Sequence, residues 1–560
     1  MILDVEGVED ARIPALGWVL CANYRSGQVR VLYGEHVEWL QDVMVEGVWS
    51  EPFESARPQA SKNLFGSCVA FSRDSLLLCP STATSEPIFF QFINRVLYAA
   101  NSLVLLLAAL NDSLKVGCQT YKTLNEARTR GLENTVLKTP TTNGSINRLI
   151  HHNLKVESAG WVIQEKTVPE PFRRFSSYKQ YLQSSLWGCL DNAKATSRKF
   201  PFQLVTTQSR GYDSTAVNAL LGPHKPDRAF TCKDSKPVGE VFRKGQQSRG
   251  PSDDGSEISA QLGFECDKLE RDAFLQNLDL EILFNAAVHN NEDRNLQPIF
   301  NLLGAPSLLL TGTMGELWYN QRSMEHANFE KDADNLLKRA DLSGFGMSEA
   351  RLWKSIIHIP VPYIGARQRE SIHQITESEE MDPWRLNNDY DRPISRRIAE
   401  EAGVKRESFG QKKMGSVVLM PMPELPLASN TRRDYLEDLV RNKLLSPWQK
   451  PVLGAVQRYN NWIRWTNPNR YFSNHRRYPA FYYLSRLIEK LTGKRFRFRP
   501  LLGHLEAELY RYSCNRIVSE YTWLSSAFRS TSVTHAANEN SQQNDPGSEH
   551  LKQGEGLTQN

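Results

Sequence analysis

Apolar residues recur along this chain in two rhythms. Over residues 1 to about 170 they form short runs, GWVLCANY (17–24), QVRVLYG (28–34) and SLLLCP (75–80), of strand length and bounded by polar or turn residues. The most apolar run, Leu97 to Leu110 (LYAANSLVLLLAAL), is fourteen residues long. That is short of the roughly twenty needed to span a bilayer, and it predicts one buried helix. From 176 to about 425 strand-like runs alternate with amphipathic helical patterns, which predicts βαβ units around a parallel sheet. QLVTT (203–207), RAFTC (228–232) and SLLLTG (307–312) are its strand candidates, and 252–274 begins with cap-type residues and reads as helix. VPEPFRRF (168–175) reads as the linker between the two regions, and the polar, Gly/Pro-rich 233–255 as a long mobile loop of the kind that often serves as a lid.

Residues 426 to about 526 are helical in pattern and basic: fourteen Lys/Arg face one acid, Glu489, between Leu439 and Pro500. The tail from about 527–530 onward is polar and predicts disorder. No internal repeat is visible. Composition changes this picture little. With 40% hydrophobic and 23% charged residues, a mean hydropathy of −0.49 and a net charge of +5, the chain is an ordinary globular one whose overall charge points to no polyanion partner. Its eight cysteines are scattered without a CxxC pair, which argues against a disulfide framework and a zinc site and fits a reducing compartment. The acidic start, MILDVEGVED, is unlike a secretory leader, so a cytoplasmic location is expected.

Candidate chemistry centres on Phe202 to Leu221, FQLVTTQSRGYDSTAVNALL. A buried strand, a tight glycine-containing turn and a helix starting near Asp213-Ser214 would point unpaired N–H groups and a helix dipole at one spot, which suits phosphate. Gly211 lets the backbone approach, Ser209 and Ser214 add hydroxyls, and Asp213 beside phosphate calls for an intervening divalent cation. The bland alternative is a strand, a turn and a capped helix with no ligand.

Ser209-Arg210-Gly211-Tyr212-Asp213-Ser214 resembles the pyrophosphate loop, usually SGGxDS, of the ATP pyrophosphatase superfamily, which includes asparagine synthetases, β-lactam synthetase, lasso-peptide cyclases and several tRNA-modifying enzymes. It is no Walker A loop, since no GK[ST] follows. Arg210 replaces the first glycine, where it would either crowd the turn or clamp phosphate. Further on, LLLTGTMGELW (308–318) resembles the asparagine-synthetase strand and loop SGxGGDELFGG, one residue shorter. The resemblance implies that Gly312 and Gly315 line the nucleotide with Ser209, Gly211, Tyr212, Asp213 and Ser214, and that Glu316 joins Asp213 as a magnesium ligand; otherwise this is a surface turn anchored by Trp318. SEARLWKSIIHIPVPYIGARQRESIHQI (348–375) and EEMDPWRLNNDYDRPISRRIAEEAGVKRESFGQKKMG (379–415) look like a divergent form of the synthetase's C-terminal half, where a lysine, here Lys412 or else Lys413, lies over the phosphates.

The fold implied is α/β: a parallel-sheet ATP-pyrophosphatase domain over 176–425, an N-terminal mixed α+β domain over 1–170 similar to a degenerate Ntn glutaminase, a basic helical region over 426–526 and a disordered tail over 527–560. Glutamine-dependent synthetases carry a nucleophilic cysteine directly after the initiator methionine. Here that position is Ile2, and Cys21, inside a strand-like run, reads as a core cysteine. The resemblance therefore implies an ATP- and magnesium-dependent ligase that adenylates a small-molecule carboxylate and passes it to a small-molecule amine without glutamine hydrolysis. Lys412 and Arg210 are its candidate charge-stabilising groups. Two alternatives stand beside it: a tRNA- or nucleic-acid-modifying enzyme, suggested by the arginines and aromatics of 439–500, and a non-catalytic nucleotide-binding protein.

Overall fold

The structure is a computed structural model that describes residues 2–124, 132, 135–233, 236–237, 253–269, 280–287, 292–318, 344–388, 390–411, 414–415, 427–446, 479–493 and 505–532. Its N-terminal part contains β1 (Asp4–Glu9), β2 (Trp18–Asn23), β3 (Gln28–Tyr33), β4 (Glu38–Leu40), β5 (Val43–Trp49), β6 (Leu64–Phe71), β7 (Ser75–Cys79), β8 (Ile88–Ile93), β9 (Val96–Ala100), α1 (Leu103–Ala109), β10 (Val136–Pro140), β11 (Ser145–Leu149), β12 (Asn153–Glu157) and β13 (Gly160–Gln164). They form a seven-stranded sheet, β1-β3-β2-β9-β8-β11-β10, and a six-stranded one, β13-β12-β7-β6-β5-β4. Pairing is antiparallel except between β1 and β3. Strand period sorts β2: Trp18, Leu20 and Ala22 face the core shared by the two sheets, while Val19 and Cys21 face α1 on the other side. Because both faces are covered, the strand reads as a continuous apolar run.

The apolar run Leu97–Leu110 is not one helix. It divides into the end of β9 and the seven-residue α1, because Ser102 takes an extended backbone and its Oγ accepts the N–H of Leu105 at 3.2 Å, capping a new helix. A buried strand and a buried helix are equally apolar, so hydropathy alone merged them.

The second region contains α2 (Phe175–Lys194), β14 (Gln203–Thr207), α3 (Tyr212–Leu220), β15 (Arg228–Cys232), β16 (Lys236–Pro237), α4 (Ser256–Gln261), β17 (Asp267–Leu269), α5 (Glu281–Asn285), α6 (Gln297–Leu302), β18 (Ser307–Thr311), α7 (Ser348–Trp353), β19 (Ile356–Pro360), α8 (Arg369–Glu377), α9 (Pro393–Glu401) and β20 (Met414–Gly415). Five of these strands make an all-parallel sheet in the order β17-β15-β14-β18-β19. Alternate side chains serve opposite layers. Leu204, Leu308, Leu310 and Ile357 pack into the core with α2, and Val205, Phe230, Leu309 and Ile356 into the other. The helix expected over 252–274 is shorter: α4 stops where Gly263 takes φ +80°, and the sheet's edge strand follows at 267. Most of the loop expected over 233–255 lies outside the described residues; Lys236–Pro237 within it pairs antiparallel with Met414–Gly415.

The C-terminal helices are α10 (Ser429–Arg441), α11 (Pro479–Thr492), α12 (Leu505–Val518) and α13 (Trp523–Ser532). Ala507, Tyr510, Cys514 and Ile517 of α12, with Leu524 and Phe528 of α13, return to cover α1 and the outer face of the seven-stranded sheet. The boundary expected at 527 therefore falls inside α13. Phe528 is buried and the carbonyl of Ala527 accepts from Arg30 Nη1 at 3.0 Å, so the helix continues to Ser532. Beyond it, 533–560 lies outside the described residues, as does most of the basic stretch 439–500.

The six-stranded sheet meets the parallel-sheet region through a buried ionic cluster. The Arg351 guanidinium on α7 donates to Glu46 on β5 at 3.0 and 3.2 Å and lies 3.4 Å from Glu86, while Ser102 Oγ donates to Glu349 at 2.8 Å. No helix among the described residues is long and apolar enough to cross a membrane.

Candidate functional site

Numbered along the chain, the five parallel strands lie in the order 3-2-1-4-5. The chain leaves the first strand, β14, toward one edge and comes back to place the fourth, β18, on its other side. Ligands of open parallel sheets sit at the carboxyl ends of strands flanking such a reversal. The loops at those two ends are 208–212, leading into α3, and 312–316, leading into the short turn Gly315–Trp318. Both stretches singled out in the sequence thus converge on one place.

The first loop rests on a buried polar floor. Gln208 Nε2 donates to the Ser209 carbonyl at 2.6 Å and to Thr215 Oγ1 at 3.1 Å. Asn218 Nδ2 donates to Gln208 Oε1 at 2.7 Å, and Thr206 Oγ1 to Asn218 Oδ1 at 2.7 Å. Above it the Ser209 and Ser214 hydroxyls meet at 2.7 Å, Ser209 N–H donates to Ser214 Oγ at 3.0 Å and Gly211 N–H to Ser209 Oγ at 3.1 Å. The helix N-cap, Gly211, provides no side-chain acceptor, so the first turn of the nine-residue α3 starts with no side-chain cap on its N–H groups.

Asp213 stands in that first turn, and the second loop closes directly on it. A Cβ added to Gly312 would lie 2.6 Å from Asp213 Cβ and 3.0 Å from the Ser214 nitrogen; one added to Gly315 would lie 2.1 Å from Asp213 Cγ and 2.3 and 2.5 Å from its carboxylate oxygens. These two glycines are what let the backbones approach. Glu316, the next residue, is partly buried. Trp318 is buried and its indole donates to Tyr178 Oη at 2.8 Å, so it is a core anchor.

The remaining expectations divide. The Arg210 backbone stays out of the left-handed region, and its Nε donates to the Ser408 carbonyl at 3.3 Å. Glycine is not required at this position because its φ is not positive. The Arg210 N–H donates to Asp253 Oδ1 at 3.0 Å and its carbonyl accepts from Gly410 N–H at 2.9 Å. Tyr212 sends its side chain into the core rather than the cup, so only its backbone can serve an anion. Its ring packs on Tyr390 at 4.8 Å and on Phe409 at 5.8 Å, and its hydroxyl accepts from Arg396 Nη2 at 2.5 Å. Lys412 and Lys413 lie outside the described residues. Cys21 is fully buried in β2, and burial pushes its thiol up to about 12, while Ile2 is 62% exposed at the surface.

Sequence reasoning missed Arg392. It immediately precedes α9, is completely buried, and forms an ion pair with Asp213 Oδ2. It also lies 5.5 Å from the centre of the Tyr390 ring, whose phenol burial and the nearby Asp213 carboxylate hold well above its ordinary range. The cation that neutralises Asp213 here is thus a side chain. The other oxygen, Oδ1, is buried without a hydrogen bond, and no group of three His, Cys, Asp or Glu able to hold a metal occurs among the described residues. Magnesium demands near-octahedral oxygen ligation and keeps several waters. A carboxylate with a guanidinium on one oxygen and a glycine backbone against the other does not fit that demand.

An apolar cavity of about 220 Å³, lined by Leu190, Phe202, Leu204 and Leu308, opens near the beginnings of β14 and β18, away from these loops. No family model and no curated protein matches the chain.

Proposed function

We propose that this chain is an ATP-dependent, amide-bond-forming ligase of the asparagine-synthetase type, which adenylates a substrate carboxylate, releases pyrophosphate and hydrolyses no glutamine. The observation that carries the reading is the meeting of the 209–214 loop with the 312–316 loop at the reversal of strand order, with Gly312 and Gly315 packed on Asp213. Fold alone does not give function; what favours this one is that the two loops that resemble a nucleotide site are the two that meet.

In this reading the uncapped N–H groups at the start of α3 and the Ser209 and Ser214 hydroxyls hold the phosphate chain of ATP. One oxygen of the substrate carboxylate attacks the α-phosphorus, the α–β bridging bond breaks, and pyrophosphate leaves with the electron pair. An amine then attacks the acyl carbon, AMP leaves, and the amine's proton passes to solvent or a base. Negative charge grows on phosphoryl and carbonyl oxygens in both steps, so aimed N–H groups and cations account for most of the catalysis. Lys412 is the candidate for contact with that charge. The burial and raised pKa of Cys21 argue against that cysteine as a glutamine-attacking nucleophile.

The test is ATP–pyrophosphate exchange screened against pools of carboxylates, since exchange reports adenylation before the amine is known. Carboxylate-dependent exchange that falls at least a hundredfold in Lys412→Ala is expected. ATP binding with no exchange in any pool would replace this reading with a non-catalytic nucleotide-binding protein.

A further inference from the structure

The charge balance at Asp213 differs from what a metal-bridged phosphate site requires. Arg392 is fully buried and ion-paired to Oδ2, whereas Oδ1 is closed off from solvent and lies where a Cβ on Gly315 would approach to 2.3 Å. A hydrated magnesium ion would have to displace the guanidinium on one side or the Gly315 backbone on the other. Moving the guanidinium would break a buried ion pair. Moving the backbone would part the two loops that make the site.

We propose that Arg392 takes the place of a divalent cation at Asp213, so that the cup engages the phosphate chain of a nucleotide with no metal bridging that carboxylate. This rests on the nucleotide-binding reading above and concerns how the same site is neutralised. A guanidinium is chemically suited to that position, because it remains charged at any physiological pH and pairs with a carboxylate in a planar fork geometry. Its position is held by chain geometry. Arg392 precedes Pro393 at the first position of α9, and that helix packs by Ile394 and Ile398 into the main core. Two arginines of this segment divide the work, Arg396 fixing the Tyr212 hydroxyl below the loop and Arg392 the carboxylate within it.

The experiment is calorimetric titration of the full chain with ATP, and separately with inorganic pyrophosphate, in excess magnesium and in excess EDTA. The expected result is an ATP affinity in EDTA within tenfold of that in magnesium, and a loss of at least thirtyfold in EDTA for Arg392→Met. Arg392→Lys, which keeps the positive charge, should recover part of that loss. A wild-type affinity that drops tenfold or more in EDTA overturns the proposal and leaves the nucleotide site standing. So does an Arg392→Met protein that is folded by circular dichroism and binds ATP in EDTA as the wild type does. Absence of ATP binding at millimolar concentration in both buffers overturns this proposal and the ligase reading together. The wild-type comparison needs no variant, so a misfolded Arg392→Met still leaves the question decided.

Discussion

Removing Asp213 should harm the fold more than removing Asp213 and Arg392 together. Asp213→Ala removes the ion-pair partner of Arg392, a fully buried guanidinium, and breaking one side of a buried pair costs about 3–5 kcal/mol. The Asp213 side chain is 22% exposed, so water already screens part of the attraction, and about 2–3 kcal/mol is the appropriate expectation. Asp213→Ala with Arg392→Met removes both members of the pair and fills most of the arginine's volume, for which about 0–1 kcal/mol is expected. A chain with several packed regions has no single unfolding free energy. The readout is therefore native-state hydrogen exchange of the α3 amides, which reports local opening. At about 1.4 kcal/mol per tenfold, Asp213→Ala should speed their exchange roughly 30- to 150-fold, with most of the protection restored in the double variant. Equal exchange in the single and double variants would show that the two side chains are not coupled, and the account of Arg392 as the carboxylate's counterion would fail.

Gly315→Ala should cost about 1–3 kcal/mol by overpacking and weaken ATP binding, because the new methyl would sit 2.1 Å from Asp213 Cγ; Gly304→Ala, with nothing within 4 Å of its added Cβ, is the control, and equal thermal midpoints for the two would contradict the close approach. Burial raises the Glu349 carboxyl to about 7 from its ordinary 4.5. Between those two pH values the native state holds a proton that the unfolded chain has released, so this group's contribution is complete below about 4.5 and is lost as pH rises through about 7, a change of about 3 kcal/mol. Glu349→Gln should match the wild type near pH 5 and melt higher near pH 9; parallel pH profiles would refute the assignment. Of the eight cysteines only Cys118, Cys232 and Cys266 are partly accessible, so Ellman's reagent should titrate no more than three thiols before denaturation and eight after; a fourth fast thiol would contradict the burial of Cys21, Cys68, Cys79, Cys189 and Cys514.

What could be read from the sequence was local in its physics. QLVTT, RAFTC and SLLLT became strands because β-rich apolar runs bounded by turns have little else to do between helices, and the loop after QLVTT carried its glycine, hydroxyls and carboxylate within six residues. The division of Leu97–Leu110 was less legible, yet its signal was present: Asn101-Ser102 is the one polar pair in the run, and serine ahead of an apolar stretch is a helix start. Arg392 belongs to a different class. Ile394 and Ile398 mark one buried side of α9, but Arg396 lies two residues from each, on another side of the helix near Ala399, and the apolar pattern does not point to it. The acceptors, however, are Asp213 and the Tyr212 hydroxyl, supplied by a loop far back in the chain, and no periodicity in either segment refers to the other. A carboxylate at the end of a parallel strand invites a metal in the sequence because its neighbours in the chain provide no cation. Folding provides one from elsewhere, and it is the tertiary neighbour, not the motif, that sets the charge at this carboxylate.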